Sequence, residues 1–541
     1  MVVMDMDMGT DMGRSNIPHP SRSTSSARHA VSLALCGLLC GAWAGIVAAE
    51  PASDFKPRLG LTQIYTDNVK LAPSGQEDSD LITVIAPGFS LLRETARLDL
   101  DVNYQLRALT YVEDSDANRV HHNLAGNMRA ALHEELLFLD ASAYMGQSII
   151  DARAPQSLDG VAGGGNLADV HGYSLSPYLM HNFATYATGL LRYGHERVYT
   201  DRAIQNAETN FVHAALDSGP RFGLLGWNMN YYKSREERGS SDTLDRENAR
   251  VNAAYQLHPT LSLLGEWGWE SNDFSTTRIA SNGSYWAAGA TWTPNRYLSL
   301  TALEGERFRR ASVRLSPTVR TSMVVSYQER EVGLNPGSVW SGDFQHQTRR
   351  TVWRLNYYED TQTVQRALFD QLSYDAARWD ALSSLDLVLN EDGFLVPNVD
   401  PSQFFSLRDE VFERKRGQAS VSFRTGKSVF GLLGFSEQRD FLESDLSGGV
   451  ADTERTRGGS AHWRWQFSGR SHTNLGAGWR RTQFGSDNRE DDLWHLDAMV
   501  TRALASNASA SLSYRFIRND SGLAANEYTE NRIIARFNIE F

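Results

Sequence analysis

Apolar and polar residues alternate along the last eleven residues of the chain, NRIIARFNIEF. Every second residue from Ile533 to Phe541 is apolar, and Arg536, Asn538 and Glu540 lie between them. Because successive side chains of a strand point to opposite faces, this pattern predicts a strand with one apolar and one polar face. A terminal strand frays unless a sheet holds it, so we expect this strand to be paired.

The same period of two recurs along the chain. It is found in RLDLDVNYQLRA (97–108), LSLLGEWGWE (261–270) and AHWRWQF (461–467). Leucine and aromatic residues dominate one face of these segments, and charged or amide residues dominate the other. A helix would repeat with a period near 3.6, so the pattern indicates strands.

The connections between these segments alternate between short and long. Short ones include TGK (425–427) and SGRS (468–471). The long ones are polar, and read NVKLAPSGQEDSD, VEDSDANRVHH, ARAPQSLDGVAGGGNLAD and SREERGSSDTLDRE. Short turns at one rim and long loops at the other are typical of outer-membrane barrels, and a soluble sandwich has no reason for this asymmetry. The sequence therefore predicts an all-β fold, a transmembrane antiparallel up-and-down β-barrel whose last strand closes on its first.

Tracing strands inward from both ends gives a count of roughly 22, within a range of about 18 to 24. This count treats residues 332–410 as one long external loop or lid. The segment RRTVWRLNYYED inside it has strand character, and if it belongs to the wall the count becomes about 24. The segment that follows, TVQRALFDQLSYDAARWDALSSL (363–385), has apolar residues at roughly helical spacing. They are Leu368, Leu372, Trp379 and Leu382. This helix is either a lid that constricts the pore or a cap on the barrel rim.

A secretory signal peptide accounts for the one long apolar run, residues 30–49. Arginines precede the run, and small residues precede Glu50, so we expect cleavage near Ala49. Residues 1–49 are then a signal peptide with a long leader, and residues 50–541 a single barrel; the alternative is an uncleaved membrane anchor. Both cysteines, Cys36 and Cys40, lie in this leader, so the mature barrel has no disulfide.

Composition and motifs limit the possible functions. The net charge is −12, which argues against a nucleic-acid partner. The sequence has no catalytic or nucleotide-binding motif, so we expect neither an enzyme nor a cofactor. We interpret GVAGGGN (160–166) as a flexible loop tip, and His121 and His122 as loop residues that face apart and share no metal. Surface acids could bind divalent cations or could simply be solvated, and these are Glu77, Asp78, Asp80, Asp114 and Asp116.

The alternation places a set of arginines on the inward face of the predicted barrel. A wide barrel needs a polar interior in any case, with arginines balanced by acids such as Asp99, Asp101, Glu266 and Asp497. The further interpretation is selectivity, because arginine binds carboxylates through two parallel hydrogen bonds, which would suit an acidic polysaccharide. The predicted pore-lining residues are Arg107, Arg192, Arg250, Arg424, Arg464, Arg480, Arg515 and Arg536.

The chain also ends with a pattern that resembles the signal read by barrel-assembly machinery. Its apolar positions are Phe537, Ile539 and Phe541. With the signal peptide, this pattern predicts a Gram-negative outer-membrane location, with membrane lipid, lipopolysaccharide and the assembly machinery as partners.

Several short segments resemble one family, the outer-membrane barrels associated with the PEP-CTERM/exosortase system of exopolysaccharide-producing bacteria. The likeness is carried by Tyr65–Asn68 and Pro87–Gly88 near the start, by GERFRRASVRL from Gly305, and by VFERKRGQASVSF ending at Phe423. The resemblance implies a porin-like channel linked to exopolysaccharide export, with the polysaccharide and its export apparatus as partners and no catalytic residues. The alternative is a surface structural or adhesion protein that uses the barrel only as an anchor.

Overall fold

A computed structural model describes most of the chain after residue 52. The described residues are 53–157, 159–202, 204–239, 242–274, 281–334, 336–369, 387–390, 393–397, 410–442, 453–485 and 488–541. The predicted signal peptide and its cleavage site, and the predicted helical positions Leu372, Trp379 and Leu382, lie outside these residues.

The described residues form 26 strands. Their bounds are β1 Ser53–Thr66, β2 Asp80–Glu94, β3 Leu98–Tyr111, β4 Arg119–His133, β5 Leu137–Ile149, β6 Leu167–Phe183, β7 Ala187–Thr200, β8 Ala207–Ser218, β9 Leu225–Arg238, β10 Asp242–His258, β11 Leu261–Phe274, β12 Gly283–Asn295, β13 Leu298–Glu306, β14 Phe308–Thr318, β15 Thr321–Arg330, β16 Gly337–Gln347, β17 Thr351–Thr363, β18 Leu387–Leu389, β19 Leu395–Pro397, β20 Val411–Thr425, β21 Ser428–Phe441, β22 Thr453–Ser468, β23 Ser471–Phe484, β24 Arg489–Ala503, β25 Ala508–Ser521 and β26 Tyr528–Glu540.

Twenty-four of these strands form one closed antiparallel barrel. Each strand pairs with its neighbours in sequence, and β17 pairs with β20. The last strand, β26, closes the barrel on β1 with Leu61 opposite Phe537. The predicted fold class and the predicted closure are therefore confirmed. The main-chain amide of Phe541 continues the pairing and donates to the carbonyl of Pro57 at 2.9 Å.

The structure corrects the predicted boundaries of the loop at 332–410. Residues 337–363 contain β16 and β17, which belong to the wall, so the long connection covers only residues 364–410. The alternative count of 24 is the one observed. The strand β16, GSVWSGDFQHQ, was missed because Gly342 interrupts its apolar face between Trp340 and Phe344.

The predicted asymmetry of the connections is present. Two-residue turns join β20 to β21 and β22 to β23 at one rim, while residues 67–79 and 150–166 connect strands at the other. The segment SREERGSSDTLDRE, predicted as a long loop, instead forms the ends of β9 and β10. Its charged residues are compatible with strands on both faces. Arg235 pairs with Glu237 at 3.3 Å on the outer face, whereas Glu236 and Arg238 are buried on the inner face.

The outer face of the barrel carries a belt of exposed apolar side chains, among them Trp286, Leu432, Leu496 and Ile533. Near the rim with short turns, five outward aromatic rings form a ladder across β20, β21 and β22. Successive centroids are 6.5, 5.9, 6.1 and 5.5 Å apart, in the order Phe423, Phe430, Trp463, Trp465 and Phe467. Among the described residues, no helix has the length and apolar character needed to cross a membrane.

Candidate channel and the segments folded into it

All eight predicted arginines lie on wall strands at inward-facing positions. They do not, however, share one environment. Arg107, Arg480 and Arg515 are buried, whereas the other five retain intermediate exposure. Three of the predicted pore-lining residues therefore do not border an open passage, because another part of the chain covers them.

The covering segment is the connection between β5 and β6, residues 150–166, here called the inner loop. It folds into the barrel rather than extending away from it. The Tyr111 hydroxyl donates to the carbonyl of Val161 at 2.6 Å, and Arg119 donates to the same carbonyl at 2.8 Å. Arg480 donates to Gln156 Oε1 at 2.6 Å, and the Tyr528 hydroxyl donates to the carbonyl of Gln156 at 2.9 Å. These donors come from both sides of the β1–β26 seam.

Apolar contacts add to this attachment. Val161 is fully buried in a cluster with Ile64, Ile82, Leu109 and neighbouring inward side chains. The next residue, Ala162, packs in a second cluster that includes Leu71, Leu493, Ile517 and Tyr528. The prediction that GVAGGGN is a flexible tip is therefore wrong for Val161 and Ala162. They are buried because the inward face of β1, β2 and β24–β26 carries apolar residues at this level.

An ionic cluster lies at the centre of the inner loop contacts. On the inward face of adjacent strands, Arg515 of β25 lies directly opposite Arg532 of β26. Two like charges in such a cross-strand pair repel each other. Asp159 of the inner loop lies over both and accepts from Arg515 Nη1 at 2.8 Å and from Arg532 Nη1 at 2.7 Å. Its side chain is only 1% exposed.

The cluster extends along the wall on either side. Arg515 Nε also donates to Asp497 at 2.7 Å, and Arg532 pairs with Glu530. The hydroxyl of Thr66 on β1 donates to Glu530 at 2.6 Å. Asp497 was predicted to balance lumenal arginines, and it is found in that role. The charges alternate in sign along the row, which is the arrangement a buried ionic group needs.

The environment of Asp159 lowers the pKa of its carboxyl group. Burial alone would raise this pKa, but the charges of Arg532 and Arg515, together with their hydrogen bonds, outweigh burial and hold it well below the usual carboxylate range. Asp159 is therefore ionised at any physiological pH. Its negative charge is a permanent part of the inner loop attachment.

A second part of the chain enters the barrel from the connection between β17 and β20. Residues 364–369 form a helical turn, here called the inner helix. Leu368 is fully buried against inward side chains of β4–β7, including Tyr144 and Val170. Arg366 Nη1 binds Glu196 Oε2 of β7 at 2.9 Å. For the described residues, this position inside the barrel favours the lid interpretation over a cap on the rim.

The same connection reaches the opposite end of the barrel. The hairpin β18–β19 packs through Leu387 and Leu395 against Leu433 of β21. The amide of Leu395 donates to Ser422 Oγ at 2.9 Å. Gly431 leaves the space for this hairpin, because a Cβ there would lie 2.6 Å from Leu387 Cδ1.

Strands far apart in the ring also approach each other near the rim with long connections. Leu244 at the start of β10 and Val411 at the start of β20 are both buried in one cluster, although β11–β17 separate their strands around the ring. Thr363 at the end of β17 lies 3.5 Å from Glu236 of β9. In the described part of the chain, the lumen of the barrel is therefore narrowed at this rim, and the inner helix lies within it.

The histidines and the surface acid Asp80, which were considered from the sequence as possible metal ligands, contact other protein groups in the described structure. His121 and His122 lie in β4 and not in a loop, but they do face apart, with His121 buried and His122 exposed. Asp80 is buried and accepts from the amides of Val112 and Glu113 at 3.0 and 3.1 Å. Within the described ranges, no group of three or more potential ligand side chains could hold a metal ion.

Some site residues escaped the sequence interpretation. Arg532 follows the same alternation as Arg536, so the pattern could have identified it. Asp159, Gln156 and Gly431 had no such signal, because their roles depend on contacts between segments far apart in sequence. The Asp159–Arg515 contact, for example, spans 356 residues.

Comparisons with known proteins find similar barrels but no close relative. No family model and no curated protein matches the sequence. The siderophore receptor PirA of Pseudomonas aeruginosa is 12% identical with a TM-score of 0.40, covering 91% of this chain and 81% of that one. The FrpB iron transporter of Neisseria meningitidis is 10% identical with a TM-score of 0.45, covering 90% and 83%. OmpT, an outer membrane protein of Vibrio cholerae, is 7% identical with a TM-score of 0.28, covering 92% and 100%. These similarities are too distant to support a shared cargo.

Proposed function

We propose that this chain is a porin-like channel of the bacterial outer membrane, occluded by its own inner loop and inner helix, and linked to export of an exopolysaccharide. A closed barrel leaves no strand edge unpaired, and its outward apolar belt matches the hydrocarbon layer. Membrane lipid, lipopolysaccharide and the barrel-assembly machinery are the partners that this location implies. Because the strand count is even, both ends of the barrel lie at one rim, which in an outer-membrane barrel would be the periplasmic one.

The observation that carries the channel proposal is the polar attachment of the inner loop. Barrels of 16–18 strands leave an aqueous channel, and larger outer-membrane transporters hold a plug in the lumen. Here connections of a 24-stranded barrel fold into the lumen and bind the wall through defined ion pairs and hydrogen bonds. Such contacts can break and reform as a unit, which is what a gated channel requires.

The link to a polysaccharide has weaker support. It rests on the family resemblance of the sequence and on inward arginines that suit acidic sugars. Arg192 and Arg250 lie in the lumen but are each close to an acid, Asp140 at 2.9 Å and Glu266 at 3.6 Å. No ion pair is described for Arg464, so anion preference, if present, depends more on this residue than on the buried arginines.

One observation favours the alternative of a surface anchor without channel activity. The contact between Leu244 and Val411 joins strands that are far apart in the ring. If this contact and the inner helix never move, no solute passes.

Conductance of the purified protein in planar bilayers tests the proposal. We expect rare openings in the wild type, and larger and more frequent openings after residues 366–408 are replaced by a short Gly-Ser linker, while the inner loop stays in place. Reversal potentials under a salt gradient should show anion preference, which Arg464→Ala lowers. Replacing exposed loop residues 74–77 by the same linker is the control, and should leave the current unchanged. Absence of current from every protein would refute the channel and favour the anchor.

A further inference from the structure

A cavity of about 300 Å³ lies between the inner helix and the inward faces of β7–β10. Its volume is at the lower limit of ordinary ligand sites. It is separate from the inner loop, whose contacts are with β1–β4 and β23–β26. Residues of these β7–β10 strands and Gln365, Arg366 and Phe369 of the inner helix line the cavity, so its shape depends on the position of the inner helix.

Aromatic rings form its apolar surface. Phe211 of β8 and Tyr232 of β9 stack with centroids 5.9 Å apart and an angle of 28°. Phe211 lies flat on the wall because Gly194 beneath it has no side chain, and a Cβ there would come within 2.1 Å of the ring. Phe369 of the inner helix borders the cavity from the other side, packed edge-on against Tyr144 at 5.7 Å.

Acidic and basic groups around these rings are equal in number. The inward ionisable residues lining the cavity are Glu196, Glu236, Arg246 and Arg366. Arg197 also borders it, but alternation turns its side chain to the outer face, where it pairs with Glu208 at 3.7 Å. The inward lining is therefore neutral in sum and contains both donors and acceptors.

Glu236 supplies a second, independent sign of a ligand. Its side chain is more than nine-tenths buried, and its Oε1 atom accepts no hydrogen bond from any described group. A buried carboxylate oxygen without a donor is costly. Glu236 lines the cavity, but Oε1 itself faces away from its open space. A ligand hydroxyl would reach Oε1 after a small rotation of the carboxylate, and its hydrogen bond would then remove this cost.

We propose that this cavity binds one uncharged pyranose unit of a saccharide. The C–H face of a pyranose carries slight positive charge and suits the negative faces of Phe211 and Tyr232. Its hydroxyls both donate and accept, so they match the carboxylate of Glu236 and the guanidinium groups of Arg246 and Arg366. A carboxylate-bearing sugar would meet Glu196 and Glu236 and bind less well. As a statement about cargo, this inference rests on the proposed channel function.

Saturation-transfer NMR on the folded full barrel in lauryldimethylamine oxide, which has no sugar headgroup, tests the site. The probe is methyl β-D-glucopyranoside, compared with the anionic methyl β-D-glucuronide. We expect binding of the glucoside that Tyr232→Ala weakens at least tenfold and Glu236→Gln also weakens. The control, Tyr255→Ala, removes an exposed outward tyrosine from β10 and should not change binding. Heat-modifiable gel migration verifies that each variant is a closed barrel.

Three results would overturn the proposed site: no transfer to the glucoside, equal binding by Tyr232→Ala, or stronger binding of the glucuronide. Bilayer currents separate this test from that of the channel. Glucoside binding without any current leaves the cavity a sugar site on an anchor, which refutes its role in transport. Current without glucoside binding refutes the site and leaves the channel.

Discussion

Replacing Asp159 by Asn should loosen the inner loop without changing its shape. The substitution keeps the size of the side chain and one oxygen acceptor but removes the negative charge. Arg515 and Arg532 then lie opposite each other with no charge between them, at 5% and 0% exposure. Their other partners, Asp497 and Glu530, remain in place.

The structure limits the size of this effect. Removing one member of a buried ion pair costs roughly 3–5 kcal/mol. The lower value applies here, because each arginine keeps a second acid and Asn keeps an acceptor. About 3 kcal/mol corresponds to roughly a hundredfold increase in the fraction of time that the loop is released, at about 1.4 kcal/mol per factor of ten. Tyr111, Arg480 and Tyr528 still bind the loop, so release should be transient rather than permanent.

Trypsin cleavage after Arg153 measures this release directly. In the closed state the carbonyl of Arg153 accepts from Arg489 at 2.6 Å, and its guanidinium lies 5.2 Å from the centre of the Phe484 ring, so a protease cannot reach the bond. In Asp159→Asn we expect cleavage there to become about a hundredfold faster. Brief openings should also become more frequent in single-channel records.

The matched control is Asp343→Asn, which removes an acid from the inward face of β16. Asp343 binds Asn356 at 2.6 Å and has no contact with the inner loop. The Asp343→Asn substitution should leave the rate of trypsin cleavage after Arg153 unchanged. Equal cleavage rates for wild type and Asp159→Asn would show that the charge of Asp159 does not hold the loop.

The pH dependence follows from the lowered pKa of Asp159. Because this pKa is lower in the folded protein than in the released loop, its stabilisation is complete above the ordinary carboxylate pKa of about 3.9 and is lost as pH falls toward the folded value. We therefore expect single-channel opening frequency to stay constant from pH 7 to about 4 and to rise only in stronger acid. A rise centred near pH 5 would contradict this assignment.

Three other predictions concern the hairpin, the wall and the last residue. Gly431→Ala should displace the β18–β19 hairpin at a cost of about 1–3 kcal/mol in thermal unfolding, whereas Gly434→Ala, with nothing within 4 Å of the new Cβ, should be neutral. Leu432→Arg should reduce folding into lipid vesicles by roughly 2–4 kcal/mol, and Asp101→Arg on the inward face by far less; equal losses would mean that the two faces are misassigned. Deleting Phe541 should lower the yield of heat-modifiable protein in the outer membrane while synthesis continues, and normal yield would exclude an assembly role.

The wall of the barrel could be predicted from the sequence because its rule is local. In a strand, adjacent residues lie on opposite faces and residues two apart lie on the same face. The sequence alone therefore predicts that arginines such as Arg464 and Arg515 face inward. The rule failed where the local signal was absent. In β16, Gly342 and several serines break the alternation, and only pairing with β15 and β17 identifies the segment as a strand.

The contents of the barrel could not be predicted in the same way. Nothing near Asp159 in sequence indicates a buried charge, since the residues from Pro155 to Gly164 follow neither a strand nor a helix period. Its burial depends on Arg515 and Arg532, which are opposite each other only after β25 and β26 have paired. The binding partner of a loop residue is thus set by strand register, which sequence periodicity does not contain.

The interpretation of the arginines shows what this difference means for function. Alternation establishes that a charge faces the lumen, but it does not distinguish a group that meets solute from one that holds a loop. Arg107, Arg480 and Arg515 are of the second kind, because the inner loop covers them. Their positive charge is used by the chain itself, through Asp159 and Gln156, and it becomes available to a solute only when the inner loop is released. Under the proposed channel function, release of the inner loop should add these arginines to the lining of the passage beside Arg464. A change in loop position should then alter conductance and anion preference together.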